Sequence, residues 1–153
     1  MNPVAPDRPP EARHSSRRRS RELAMQGLYQ WGMTGQPVAT IEQQLRQQRD
    51  FGKADQEHFA DLLRGTLAGS DELNALLAPC LDRALKELSP VEHAILLIGA
   101  YELQRHPEIP YRVVINEAVE LAKTFGGTDG YKYVNGVLDK LLASLRKDEV
   151  RRP

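Results

Sequence analysis

The stretch "SPVEHAILLIGAYEL" (residues 89–103) decides the fold. Its first four residues spell a helix start. Ser89 is placed to cap, Pro90 takes the first helical position, where its missing N–H does no harm, and Glu92 supplies the capping-box carboxylate. Beyond Glu92 the apolar residues leave no polar face. The helix is therefore expected to be buried all round, as the centre of an all-α bundle. Its longest purely apolar run, 94–100, is far too short to span a bilayer.

Outward from that helix, apolar positions keep helical spacing almost throughout, and nothing alternates over a strand's length. A first helix is predicted from about Arg17 to Met33, burying Leu23, Ala24, Gly27, Leu28 and Trp31. A second follows Pro37, with Val38, Ile41 and Leu45 on one side. The third covers roughly 54–68, with Phe59, Leu62, Leu63 and Leu67 inward. The fourth starts at the cap Ser70 and is bent or ended by Pro79. The sixth begins around Pro110 and ends at Gly126–Gly127, and the seventh runs from about Asp129 to Arg146. Seven helices with short connections make an all-α bundle. A glycine inside a helix costs about 1 kcal/mol against alanine. Gly27, Gly65 and Gly99 are read as points of close helix approach; Gly136 is not.

A chain of 153 residues is read as one domain with its own core. Residues 1–16 hold four prolines and little to bury, so they are expected to be a disordered tail. The folded domain is expected over 17–146, with a charged tail over 147–153. The 21 basic and 21 acidic residues balance overall, but residues 1–21 carry six arginines against Asp7 and Glu11. A basic arm on an acidic body excludes a protein that coats nucleic acid with its whole surface and points to one local anionic contact. Cys80 is the only cysteine, so no internal disulfide is available and a reducing compartment is expected. No signal peptide is legible, and the protein is read as soluble and cytoplasmic.

Catalysis finds little support. His14, His58, His93 and His106 share no metal-ligand spacing with Cys80. The Pro79–Cys80 dipeptide is similar to the nucleophile dipeptide of RNA cytosine methyltransferases. No cofactor-binding strand or glycine fingerprint accompanies it, and Cys80 reads as a small core residue. "FGGTDG" (125–130) has no strand before it and no Gly-Lys-Ser/Thr after it, so it reads as a helix break rather than a nucleotide loop. The expectation is a protein that is not an enzyme, with no cofactor and no metal.

Binding fits better. Arg17, Arg18, Arg19 and Arg21 crowd the start of the first helix, where the macrodipole disfavours cations. Something other than folding then selects them, and their planar forks suit phosphate oxygens. Arg18, Glu22, Gln26 and Tyr29 fall on the side facing solvent or a partner. In the seventh helix Val134, Val137, Leu138, Leu141 and Leu145 form the apolar face. Tyr133 lies on the polar side among Lys132, Gly136 and Lys140, with Asp129 one turn before. An aromatic among lysines offers a platform to an unstacked base. Arm and platform together favour single-stranded RNA over duplex DNA, for which no recognition helix is evident.

These stretches resemble the NusB family of bacterial transcription antitermination factors. The resemblance is carried by "RRRSRELAMQGLYQW" (17–31), "SPVEHAILLIGAYEL" (89–103), "IPYRVVINEAVELAKTFG" (109–126) and "YKYVNGVLDKLL" (131–142). It covers about residues 17–146; from 34 to 69 it rests on helical pattern alone. It implies two small helical bundles and no catalysis. It further implies pairing with NusE, a small-subunit ribosomal protein, and binding of that pair to the boxA element of nascent ribosomal RNA leaders. The complex would act on RNA polymerase together with NusA and NusG, promoting read-through of terminators. On this resemblance Arg17, Arg18, Arg19 and Arg21 match the RNA-binding arm. Phe125, Asp129, Lys132 and Tyr133 match a second RNA-contacting region, and arm and platform are expected on one continuous surface. Tyr29 and Glu92 match positions facing NusE, while His93 and Lys86 depart from the family pattern. Two rival readings stand beside this one: a protein–protein adaptor that binds no specific RNA, and the RNA-binding domain of an RNA methyltransferase. Some members self-associate through the surface that would meet RNA, so a homodimer stays open alongside a monomer.

Overall fold

The computed structural model describes residues 10–151, with side chains from Ala12 to Val150. Eight α-helices and no strand occur among the described residues. The chain divides after Leu67 into two compact units. No described helix is long and apolar enough to cross a membrane.

The first unit holds α1 (Pro10–Thr34), α2 (Val38–Arg46), a 3-10 turn (Phe51–Lys53) and α3 (Gln56–Ala68). Helix α1 begins seven residues before its expected start, so residues 10–16, read as tail, are helical. The rest of that expected tail, residues 1–9, lies outside the described residues. Proline suits a first helical position, and the apolar periodicity that marks a helix in sequence begins only at Leu23. The longer helix also removes the dipole argument for the arginines. Arg17 stands two turns inside α1, and the macrodipole acts within the first turn.

Leu23, Ala24, Ile41, Phe59, Leu62 and Leu63 are completely buried. Gly27 fulfils its expected role: a Cβ there would meet Leu63 Cδ1 at 2.8 Å and Leu45 Cδ1 at 3.1 Å. Trp31 does not follow the wheel. It is 41% exposed, as are its neighbours Tyr29 (38%) and Met33 (57%), because α1 runs on past the part of it that is packed. Phe51 meets Phe59 edge to face at 5.3 Å, with the Arg46 guanidinium over both rings. Buried Glu42 accepts from Arg64 at 2.7 and 2.8 Å and from Arg46 at 2.9 Å. The Arg64 hydrogen bonds hold its carboxyl below the ordinary value, against the opposing effect of burial.

The second unit holds α4 (Ser70–Leu77), 3-10 turns at Ala78–Cys80 and Leu85–Glu87, α5 (Pro90–Arg105), α6 (Tyr111–Phe125), α7 (Gly130–Leu145) and α8 (Lys147–Arg151). Ser70 is the first residue of α4 and Gly69 its N-cap, without a side-chain hydrogen bond. Pro79 lies in the 3-10 turn that ends α4. Residues 147–151, expected as a charged tail, form the short α8, whose Glu149 receives Arg146 at 3.0 Å and the Tyr111 backbone N–H at 3.0 Å.

Helix α5 is the buried centre that its sequence predicts. Ala94 to Leu103 are ten consecutive buried residues, and α5 packs on α4, α6 and α7. A fully buried leucine or isoleucine in such a run contributes about 1.5–3 kcal/mol. At Gly99 a Cβ would meet Leu138 Cδ1 at 2.9 Å, so the glycine lets α5 and α7 close together. Ser89 caps α5 as expected, accepting from the Glu92 N–H at 3.1 Å. The reciprocal Glu92 bond to the Ser89 backbone is not made.

The carbonyls at the far end of α5 are closed by a residue that no sequence pattern singles out. Buried Arg146 donates to the carbonyls of Glu102, Leu103, His106 and Ile109, at 3.1, 3.0, 2.8 and 2.6 Å. These include groups that a helix C-terminus leaves without intrahelical partners.

Candidate nucleic-acid interface

Within the first unit the four arginines of α1 take different roles. Arg19 donates to Glu22 at 2.9 Å, to Asp50 at 2.9 Å and to Gln48 at 3.1 Å. Burial works against its charge, but the bonds to Glu22 and Asp50 prevail and its pKa is raised. Arg17 reaches Asp55 at 3.5 Å with its side chain 39% exposed. Asp55 also caps α3, accepting from the His58 N–H at 3.0 Å. Arg18 is half-exposed, its guanidinium 3.5 Å from the His14 ring. Arg21 is buried, 3% exposed, and presents no surface to a phosphate. Of the four arginines matched to the arm, Arg21 is thus corrected to a buried position, while Arg17, Arg18 and Arg19 are half-buried. The acidic residues of the α2–α3 connection explain Arg19, and in part Arg17, by folding.

In the second unit the residues from Phe125 to Tyr133 gather around the turn between α6 and α7. Phe125, the last residue of α6, is 40% exposed. Gly126 caps α6, its N–H bonded to the Ala122 carbonyl at 2.8 Å. Asp129, the N-cap of α7, adopts a left-handed conformation with φ 65°, which aspartate tolerates better than most residues. Its carboxylate lies 3.4 Å from Lys132 Nζ, and both side chains are about two-thirds exposed. Such a pair is worth little in water and is readily exchanged for another partner.

Tyr133 is less open than its place among lysines suggests. The Arg83 guanidinium covers one face of its ring, 4.2 Å from the centroid. Asp82 holds that guanidinium at 2.7 and 3.4 Å. The Tyr133 hydroxyl oxygen is buried with no hydrogen-bond partner of good geometry among the described residues. Burial raises its pKa above the ordinary value, while the nearby Asp82 carboxylate and Arg83 contribute smaller effects. Arg83 lies fifty positions before Tyr133, so no local pattern could link them.

Glu92 turns its carboxylate to the start of α7. A Cβ at Gly130 would collide with it, so the bare glycine makes its place. A helix N-terminus favours a negative charge, which accounts for Glu92 leaving the capping box half made. Tyr29 stands exposed on α1 with exposed Met33 one turn further, so the wheel's assignment of Tyr29 to the outer side holds. Cys80 is buried and its thiol pKa is raised by that burial, with Lys140 opposing, which describes an unreactive thiol.

A family model matches residues 18–143, and its description is the NusB family. Over 137 residues the chain is 64% identical to the transcription antitermination protein NusB of Paraburkholderia xenovorans (strain LB400), spanning 90% of this chain and 95% of that protein. The transcription antitermination protein NusB of Nitrosospira multiformis (strain ATCC 25196 / NCIMB 11849 / C 71) is 63% identical over 130 residues, spanning 85% of this chain and 82% of its own. These relatives define the class: all-helical transcription antitermination proteins. The chain belongs to the NusB family. Among solved structures, T. maritima NusB superposes with a TM-score of 0.77 at 27% identity, covering 89% of this chain and 97% of that one. A crystal structure of the antitermination factors NusB and NusE in complex with double-stranded RNA shares the fold, with a TM-score of 0.72 at 22% identity over 82% of this chain and 95% of that one.

Proposed function

We propose that this chain performs the antitermination function of its relatives by holding boxA RNA at two places, in partnership with NusE. The observation that carries the reading is the α6–α7 turn, where exposed Phe125 and Lys132 flank Asp129. Phe125 supplies a stacking face for an unpaired base, worth about 1–3 kcal/mol per base. Lys132 exchanges its weak pair with Asp129 for a phosphate. Tyr133 stiffens this region from below, packed under Arg83. On α1 the phosphate contacts fall to Arg17 and Arg18, with Arg19 in support and Arg21 structural.

Tyr29 and Glu92 are the positions assigned to NusE. Trp31 and Met33 widen the first of them, since three large exposed side chains at the end of α1 suit a protein partner. A small RNA-binding surface gains affinity when a bound partner adds its own contacts to the same strand. RNA polymerase, NusA and NusG complete the assembly in which the chain acts, in the cytoplasm.

The internal satisfaction of Arg19 favours one rival, an adaptor that binds NusE but no specific RNA. Phe125→Ala and the pair Arg17→Ala/Arg18→Ala separate the two readings. Phe125→Ala should weaken boxA binding about fivefold or more, corresponding to at least ~1 kcal/mol. The arginine pair should reduce the slope of log K against log salt by about 1.4, at ~0.7 per single-strand phosphate. If both variants bind RNA like the unaltered protein while NusE binding persists, the adaptor reading stands instead.

A further inference from the structure

We propose that the groove between α6 and α7 is a subsite for one further nucleotide of the RNA strand held at the Phe125–Tyr133 region; the inference rests on that reading of the region. The groove is an open cleft with a volume of about 450 Å³, within the ordinary range for small-ligand sites. It opens beside the α6–α7 turn, because Lys123 and Lys132, one on each side of that turn, both line it.

Its chemistry matches a nucleotide part by part. Both lysines lean on the Tyr131 ring, with Nζ at 5.2 and 5.9 Å from its centroid. Each is ion-paired only at the solvent-exposed surface, Lys123 with Glu120 at 3.7 Å and Lys132 with Asp129 at 3.4 Å. The third cation, Arg112, stacks over Tyr111 at 5.3 Å and makes no ion pair with a carboxylate among the described residues. Lys123 and Lys132 stand together beside the turn and suit one phosphate, while Arg112 lies about 16 Å further back along α6, at the other end of the groove; the Tyr131 ring between the lysines offers an aromatic surface to a base.

Between these ends the groove is lined by Asn116 on α6 and Asn135 on α7, both exposed and neither making a side-chain hydrogen bond among the described residues. An amide supplies both a donor and an acceptor, which is what the edge of a base requires. Asp139 lines the groove on α7 two turns, about 10 Å, beyond Lys132. A carboxylate there repels phosphate and accepts from base N–H groups, so it orients the nucleotide with its phosphate toward the two lysines at the turn. One carboxylate among cations is no ligand set for a divalent metal, and the lining is too polar for a purely apolar guest.

The test follows the side-chain amide signals of Asn116 and Asn135 by NMR, assigned through Asn116→Ala and Asn135→Ala, as boxA RNA is added to the full chain. Both signals should shift and saturate together with the backbone amides of Phe125 and Gly126. The double variant Asn116→Ala/Asn135→Ala should keep its helical content and bind the RNA about tenfold more weakly. If Phe125 and Gly126 respond while the two asparagines do not, and the double variant binds unchanged, the subsite is overturned and the reading of the turn survives. If none of the four responds to RNA, both fall. If the asparagines respond to NusE without RNA, the groove is a protein contact and the proposal is refuted.

Discussion

Arg146→Met isolates the clasp that ends α5. Methionine keeps much of the stem's bulk and removes every donor, leaving the carbonyls of Glu102, Leu103, His106 and Ile109 without the guanidinium they now share. A hydrogen bond from a charged donor contributes about 1.5–3 kcal/mol. Four of them, simply added, would approach or exceed the whole ~5–15 kcal/mol stability of a domain. They do not add, because the unfolded arginine is fully hydrated and its burial is itself unfavourable. The relevant scale is the rupture of a buried charged network, about 3–5 kcal/mol. With ~2–4 °C per kcal/mol for a chain of this size, the melting temperature should fall by about 6–20 °C. Arg146→Lys should fall between, since one ammonium has three donors for four carbonyls. Urea unfolding followed by far-UV circular dichroism gives the free energies. A loss below about 1 kcal/mol for Arg146→Met would refute the reasoning, by showing that water replaces the guanidinium at little cost.

Gly136 and Gly99 should respond oppositely to alanine. Nothing lies within 4 Å of a Cβ at Gly136, so Gly136→Ala should stabilise by up to about 1 kcal/mol, whereas Gly99→Ala drives into Leu138 and should destabilise by about 1–3 kcal/mol in thermal melts. Tyr133→Phe removes a buried hydroxyl that makes no hydrogen bond of good geometry among the described residues, so stability should hold or rise by up to about 1 kcal/mol and boxA affinity should stay level. His93, bonded to Asn74 Oδ1 at 2.7 Å, has its pKa lowered from 6.5 by burial. The unfolded chain therefore binds more protons than the folded one once pH drops below about 6.5, and the stability present above that pH is lost as pH falls toward the folded value. His93→Gln should flatten that part of a stability–pH curve measured by denaturant unfolding.

The central and C-terminal helices are legible because their signals are local. Ser89–Pro90 starts α5, Pro110 and Gly126 bracket α6, and each carries an apolar pattern that continues through its length. Features built from distant pairs are not legible. Arg146 meets carbonyls about forty positions earlier, Arg83 covers a tyrosine fifty positions later, and Arg19 finds its carboxylate at Asp50. The arginines of α1 show the consequence for the site. Their sequence reads as one basic patch, yet it is divided: Arg21 is buried, Arg19 is held by Asp50 and Glu22, and Arg17 and Arg18 are half-buried. Helix α1 itself reads too short because residues 10–16 carry no apolar period, and Trp31 reads as inward because a wheel assumes packing along the whole helix.

The most direct measurement compares binding of a fluorescent boxA RNA with a scrambled strand of equal length and a boxA duplex, with and without NusE, at two salt concentrations. The expected result is a preference for single-stranded boxA that NusE strengthens and Phe125→Ala weakens. Equal, salt-sensitive binding to all three RNAs, unchanged by NusE and by Phe125→Ala, would contradict the account and reduce α1 to a nonspecific tether.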